Sequence, residues 1–178
     1  MSHFDIQGYR PRWLNGLPAI AVAHDLRLQS LVGRHLRYAW LLWDLDADEW
    51  FADAPVLLDF DHEQVEINHQ KFDDLSITWN TIDPMGQQAW TYGDWGHYDD
   101  FVFQLAWRHD AQAQLATLQG QQLQEVKLLE YTGQNLANGM VAVSFAFSDG
   151  QVTISNGLDE NSLEFGDPDS TYLPWSKV

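Results

Sequence analysis

The densest group of chemically capable side chains is the run Trp43-Asp44-Leu45-Asp46-Ala47-Asp48-Glu49-Trp50. Asp44, Asp46 and Asp48 have the alternate spacing of the first ligands of a calcium loop. The pattern then stops. Glu49 stands where such a loop needs glycine for its turn, and Pro55 stands where it needs a bidentate glutamate. The run reads first as a solvated loop between strands. As a functional element it reads as a protein-binding loop, with carboxylates for lysine or arginine and with Trp43 and Trp50 as rigid anchors. Asp53 extends the acidic run. A second group is Trp90-Thr91-Tyr92-Gly93-Asp94-Trp95-Gly96-His97-Tyr98-Asp99-Asp100. Its glycines mark turns, and its aromatics either cover an end of the core or stack on a ligand. Asp94, Trp95, Asp99 and Asp100 join Trp43, Asp44, Asp46, Asp48, Glu49, Trp50 and Asp53 as candidate partner-binding residues.

Other chemistry has little footing. The chain has no cysteine, so it offers no thiol nucleophile, thiolate metal site or disulfide. No Gly-x-Ser-x-Gly elbow and no glycine-rich phosphate loop is present. Carboxylate pairs such as Asp59 and Asp61, or Asp73 and Asp74, are too common in so acidic a chain to mark a glycosidase. His24-Asp25 and His109-Asp110 look like the His-Asp pair of metal phosphohydrolases. They lack the helical context and the further ligands, and their recurrence in both halves points to a turn or helix cap. His62 and His69 would fall on opposite faces of a regular strand, so a shared metal is not expected. No catalytic residue, metal or cofactor is assigned.

Charge narrows the partners. The 178 residues carry 26 acidic and 9 basic side chains, a net charge of −17. Sixteen of the acids lie between Asp44 and Asp110, opposed there only by Lys71 and Arg108, and seven of the nine tryptophans fall between Trp40 and Trp107. Such a surface repels phosphates, which argues against nucleic acid and anionic membranes and favours a basic protein. No apolar run approaches the roughly 20 residues of a membrane span. The first residues lack the pattern of a secretory signal, and a cytoplasmic setting is expected.

The elements that must position these residues occur twice. At an offset of 87, Leu31-Val32-Gly33-Arg34-His35-Leu36 falls on Leu118-Gln119-Gly120-Gln121-Gln122-Leu123, and Val56, Leu58 and Phe60 fall on Val143, Phe145 and Phe147. A small deletion then brings Ile77-Thr78-Trp79 onto Leu163-Glu164-Phe165. Ala21 to Asp25 resembles Leu105 to Asp110. Each unit reads as an apolar strand (Ala19 to Ala23, and Phe101 to Trp107), a short helical turn closed by Gly33 or Gly120, a long strand, a hairpin and a last strand. The expectation is a mainly β chain with short helices (α+β). It consists of two pseudo-repeated antiparallel β-meander units forming either a sandwich or one curved sheet. One domain would span residues 1–178, with units at about 18–84 and 101–170 and an insertion at 85–100. Alternation such as Val65 and Ile67 against Gln64, Glu66 and Asn68 predicts strands buried on one face.

The leading functional expectation is a non-enzymatic acidic binding module, in its most concrete form an immunity-type inhibitor that neutralises a basic toxin or nuclease. The alternatives are a carbohydrate-binding protein or hydrolase with its site around Trp90 to Asp100, and a homo-oligomeric subunit paired through exposed β edges.

Overall fold

The structure, a computed structural model, describes residues 3–93 and 101–176. It is mainly β, with two antiparallel sheets and two short α-helices. The strands of the first sheet are β1 (Trp13–Leu14), β2 (Leu36–Asp44), β3 (Glu49–Trp50), β4 (Val56–Phe60), β5 (Glu63–Gln70), β6 (Asp74–Trp79), β7 (Trp90–Tyr92) and β8 (Phe103–Arg108), so the strand expected to open the second unit pairs with β2 of the first. This sheet has the order β1-β6-β5-β4-β2-β8-β7, with β3 paired to β2. The second sheet has the order β12-β11-β10-β9-β13. Its strands are β9 (Leu123–Tyr131), β10 (Val141–Phe147), β11 (Gly150–Asn156), β12 (Asn161–Phe165) and β13 (Tyr172–Pro174). Helix α1 covers Leu17–Gln29 and α2 covers Ala113–Ala116. Among the described residues no helix is long and apolar enough to cross a membrane.

The pairing registers repeat at the offset seen in the sequence. Val56 pairs Ile67, as Val143 pairs Ile154, and Leu58 pairs Val65, as Phe145 pairs Val152. The offset falls by one at the next hairpin, where Ile67 pairs Ile77 and Ile154 pairs Leu163. Even the irregularity recurs. Between β2 and β4 the register skips Arg37, and between β9 and β10 it skips Gln124. The bulge has a packing reason. Leu36 and Ala39 are three apart and would face opposite ways in a regular strand. One extra residue puts Leu36, Ala39 and Leu41 on the core face, as it does Leu123, Val126 and Leu128.

The halves meet around a local twofold. His35 bridges Gln122; Gly33 N donates to Leu123 O at 2.8 Å and Gly120 N to Leu36 O at 2.6 Å. Leu36 N donates to Gln121 O at 2.9 Å and Leu123 N to Arg34 O at 2.8 Å. Each bond has its mirror, as in an isologous dimer interface. The helices also cross over: α1 packs on β9, and α2 lies against β2. The core between the sheets joins Leu36, Leu58, Phe60 and Ile67 to Leu123, Val143, Phe145 and Ile154, with Phe60 stacked on Phe147 at 6.2 Å. Gly33 and Gly120 have φ of 91° and 86°, and a methyl group on either would touch nothing within 4 Å. Alanine there costs backbone strain alone, about 1–2 kcal/mol. Gly33→Ala and Gly120→Ala should therefore lose equal stability in denaturant unfolding. Unequal losses of more than about 1 kcal/mol would mean the two seams are not equivalent.

Two expectations are corrected here. Ala19 to Ala23 lies within α1 and is not a strand. A short continuous apolar run carries no period of its own, and here Gly16, Pro18 in the first turn and the continuation to Leu28 settle it as helix. His24-Asp25 therefore sits inside a helix, whereas His109-Asp110 follows β8, so the two pairs do not correspond. The first sheet is also not buried on one face only. Gln64, Glu66 and Asn68 are buried along with Val65 and Ile67. The outer face is covered by Ile6, Tyr9, Phe51, Ile82 and the aromatics of β7 and β8, packed on Trp40, Leu42 and Leu57.

Candidate protein-binding cleft

The acidic run is a hairpin turn. Trp43 pairs Trp50 and Asp44 pairs Glu49 across it. Asp44 is buried, and its Oδ1 accepts from Asp46 N at 3.0 Å and Ala47 N at 3.3 Å, so this carboxylate holds the turn together. Asp48 has a left-handed backbone (φ 53°), and its Oδ1 accepts from the Trp43 indole at 2.9 Å. Trp43 is half-buried, with the Arg108 guanidinium 5.9 Å from its ring centre and Arg108 in turn 3.3 Å from Asp110. Asp46, Asp48 and Glu49 remain exposed.

Past Trp50 the chain is stitched to the other sheet by Asn161, the first residue of β12. Its Nδ2 donates to Ala52 O at 2.9 Å, Ala54 O at 2.8 Å and Asn68 Oδ1 at 2.8 Å. Its Oδ1 accepts from His69 N at 2.9 Å and lies 3.1 Å from His69 Nδ1, while His69 Nε2 lies 3.0 Å from Val141 O. Burial lowers the pKa of His69, partly offset by its contacts with Val141 and Asn161. His69 is thus an inter-sheet fastener.

This stitching opens a cleft of about 690 Å³ between the halves. Glu49, Trp50 and Ala52 line one side; Gln112 and Gln114 at the start of α2 line another; Gly157, Glu160, Asn161 and Phe165 close it. Asp53 and Asp159 lie close to each other beside it. Partial burial and then the Asp159 charge raise the pKa of Asp53. No lysine or arginine lines the cleft. Lys71, whose backbone N donates to Asp159, turns its ammonium to Asp74 at 3.3 Å. Trp50 packs against the core, and its indole N–H is buried with no partner among the described residues.

The structure thus brings Glu49 and Trp50 to the cleft and Asp53 to its edge. It places Asp46 and Asp48 at the turn, and it uses Asp44 and Trp43 internally. Asp94, Trp95, Asp99 and Asp100 lie outside the described residues. Trp90 and Tyr92 form β7, pack on the outer core, and Trp90 Nε1 donates to Phe4 O at 3.1 Å. Gly157-Leu158-Asp159-Glu160-Asn161 has the local pattern of a turn, and that pattern does not show that Glu160 lines the same cleft as Glu49. The signal was the Asp159-Glu160 pair, but nothing local ties it to a loop more than a hundred residues away. Among the described residues no group of three or more His, Asp or Glu side chains is placed to hold a metal ion.

No family model matches this sequence, and neither the comparison with curated proteins nor that with solved structures returns a match. The functional reading therefore rests on geometry and charge.

Proposed function

We propose that this chain is a non-enzymatic binding protein that holds a basic protein partner, in the manner of an immunity-type inhibitor of a cationic toxin. The observation that carries the reading is that Glu49 and Glu160, from opposite halves, line one cleft with Trp50 and that its lining holds no lysine or arginine. A lysine or arginine entering there finds two carboxylates and an aromatic wall, and the net charge of −17 speeds its approach.

The test is capture from native lysate at low salt, run in parallel on the wild type and on Glu49→Gln/Glu160→Gln. A stoichiometric basic protein should leave the wild type in a ramp between about 0.2 and 1 M salt, as the Debye length shrinks. It should be lost from the double variant, with association slowed by about tenfold or more. Identical eluates from both proteins would remove the cleft from the interface. Asp44 is left untouched because its loss would disturb the turn itself.

A further inference from the structure

At the other end of β4 and β5 lies a second, smaller cleft, of about 280 Å³, on the outer face of the first sheet. Its floor is one cross-strand row. Tyr38 pairs Asp59, Asp59 pairs Gln64, and Gln64 meets Asn80. Trp40 lies behind the row, its ring 5.5 Å from that of Tyr38, and His109 packs edge-on against both at 5.0 and 4.8 Å. His62 and the segment 82–85 form the walls.

The groups left free in this cleft are mainly acceptors. The Gln64 amide N–H groups are spent on Glu66 and on Ile82 O, and Asn80 Oδ1 already accepts from Gln64 N. Asp83 Oδ1 accepts from Met85 N and Gly86 N. Asp59 differs. It sits in a central strand, half-buried, and none of the described residues donates a hydrogen bond to its carboxylate. Its oxygens still reach solvent, and a half-buried carboxylate served by water alone can exchange that water for a ligand that donates. What remains on offer is the Asp59 carboxylate, the Gln64 Oε1, the second Asp83 oxygen and two aromatic side chains, beside three groups that can donate, the Asn80 amide, the Tyr38 hydroxyl and the His62 ring. That set calls for a cation that donates hydrogen bonds.

The feature belongs to the first half alone. The equivalent row in the second sheet is Glu125, Ala146 and Gln151, with no aromatic wall and no central carboxylate. Features shared by the halves serve the shared fold, and this one is not shared.

We propose that the Tyr38-Trp40-Asp59 cleft is a binding site for a single alkylammonium or guanidinium group. The volume lies at the small end of ligand sites, which suits one cationic headgroup rather than a whole metabolite. The group has two sources, a free amine or a basic side chain on a protein partner. The site stands apart from the Glu49-Glu160 cleft, and neither reading needs the other. Burial raises the pKa of Asp59; Arg37 opposes this, Asp61 adds to it and His62 opposes it. The ionised carboxylate is the binding form, so affinity rises with pH through the raised value and falls on acidification.

The experiment is a titration of the full chain with n-butylammonium chloride, at ionic strength held constant with sodium chloride and with n-butanol as the neutral control. The readouts are tryptophan fluorescence and the indole N–H resonance of Trp40. Saturable binding with a Kd on the order of 1–10 mM is expected for one ammonium group that meets a carboxylate and two aromatic side chains together, with no saturation by butanol. Asp59→Asn should weaken binding at least about tenfold while leaving the unfolding midpoint equal or higher, because it removes a partly desolvated charge. Asp149→Asn, in the turn between β10 and β11 and outside both clefts, should bind as the wild type does. A matched pair of probes, spermidine and an acetylated, amidated Gly-Lys-Gly peptide, separates the sources: tighter binding of the peptide assigns the site to a protein side chain, and tighter binding of spermidine assigns it to free amines. Equal responses to butylammonium and butanol, or butylammonium binding unaltered by Asp59→Asn, would overturn the proposal. So would saturation by a neutral sugar in the absence of any amine response.

Discussion

Asn161→Ala should lower the free energy of unfolding by more than about 4 kcal/mol, measured by urea unfolding followed by tryptophan fluorescence. The side chain makes three donor contacts to Ala52, Ala54 and Asn68 and accepts from His69, and all of it is buried. Alanine removes about 1 kcal/mol for each bond and leaves buried carbonyls with no water to replace the amide. Against a typical total of about 5–15 kcal/mol, this is enough to unfold part of the population. The exposed Asn138, whose side chain donates to Gly133 O at 3.0 Å, is the control, and its alanine variant should change stability by less than about 0.5 kcal/mol. If both variants lose the same small amount, the inter-sheet fastening is not where stability resides. The neighbouring His69 adds a pH signature. Its folded pKa is lowered by burial, so the unfolded chain binds the proton first. The stability it contributes is present above the unfolded value of about 6.5 and is lost as pH falls from there towards the lowered folded value, at up to about 1.4 kcal/mol per pH unit. His69→Gln should abolish that part of the acid slope.

Glu66 should be the second costly position. It is wholly buried and forms no ion pair among the described residues, yet its two oxygens are saturated. Oε1 accepts from Gln64 Nε2 at 3.1 Å, Thr81 N at 2.7 Å and Ile82 N at 2.9 Å; Oε2 accepts from Thr81 Oγ1 at 2.6 Å and from Thr78 Oγ1. Five donors converge on one carboxylate and hold residues 81–82 against the sheet. Glu66→Gln brings an amide N–H₂ into that ring of donors, and at least one backbone or hydroxyl donor loses its partner. The expected cost is about 2–4 kcal/mol in denaturant unfolding, with Glu66→Leu costing more. Because Ile82 walls the Tyr38-Asp59 cleft, amine binding should weaken in the same variants under conditions where they remain folded. A Glu66→Leu variant as stable as the wild type would show that the five donors find water or other partners instead.

Both residues look ordinary as letters in a string. Glu66 alternates with Val65 and Ile67, and alternation reports which side chains share a face. It does not report whether the second face meets water. Only the chain folding back, with Tyr9 and Ile82 over the sheet, makes Glu66 a buried carboxylate. Asp59 is one of twenty-six acids. It becomes distinctive because its neighbours across the sheet are Tyr38 and Gln64, and because nothing described donates to it. Asn161 read as part of a turn, since its partners lie about a hundred residues away.

What the amino-acid sequence determined by itself was local or periodic. The hairpins, the long strands, the two glycines with positive φ, the registers at an offset of 87 and the one-residue deletion all follow from short-range turn chemistry and from apolar spacing that recurs. The acidic run between Trp43 and Trp50 was legible as a loop between strands, whereas the pairing of Trp43 with Trp50 that makes it a hairpin was not. The run from Ala19 to Ala23 was misread because a short unbroken apolar stretch fits helix and strand equally, and the signals that mark it as helix, Pro18 in the first turn and the continuation to Leu28, lie outside the run itself. Tertiary structure alone decided that there are two sheets rather than one, that Asp44 is spent on its own turn, that Glu49 and Glu160 share a cleft, and that Asp59 lies half-buried without donors. Those are facts about which distant surfaces exclude water from one another. Desolvation is set by the assembled shape, and no spacing along a single strand encodes it.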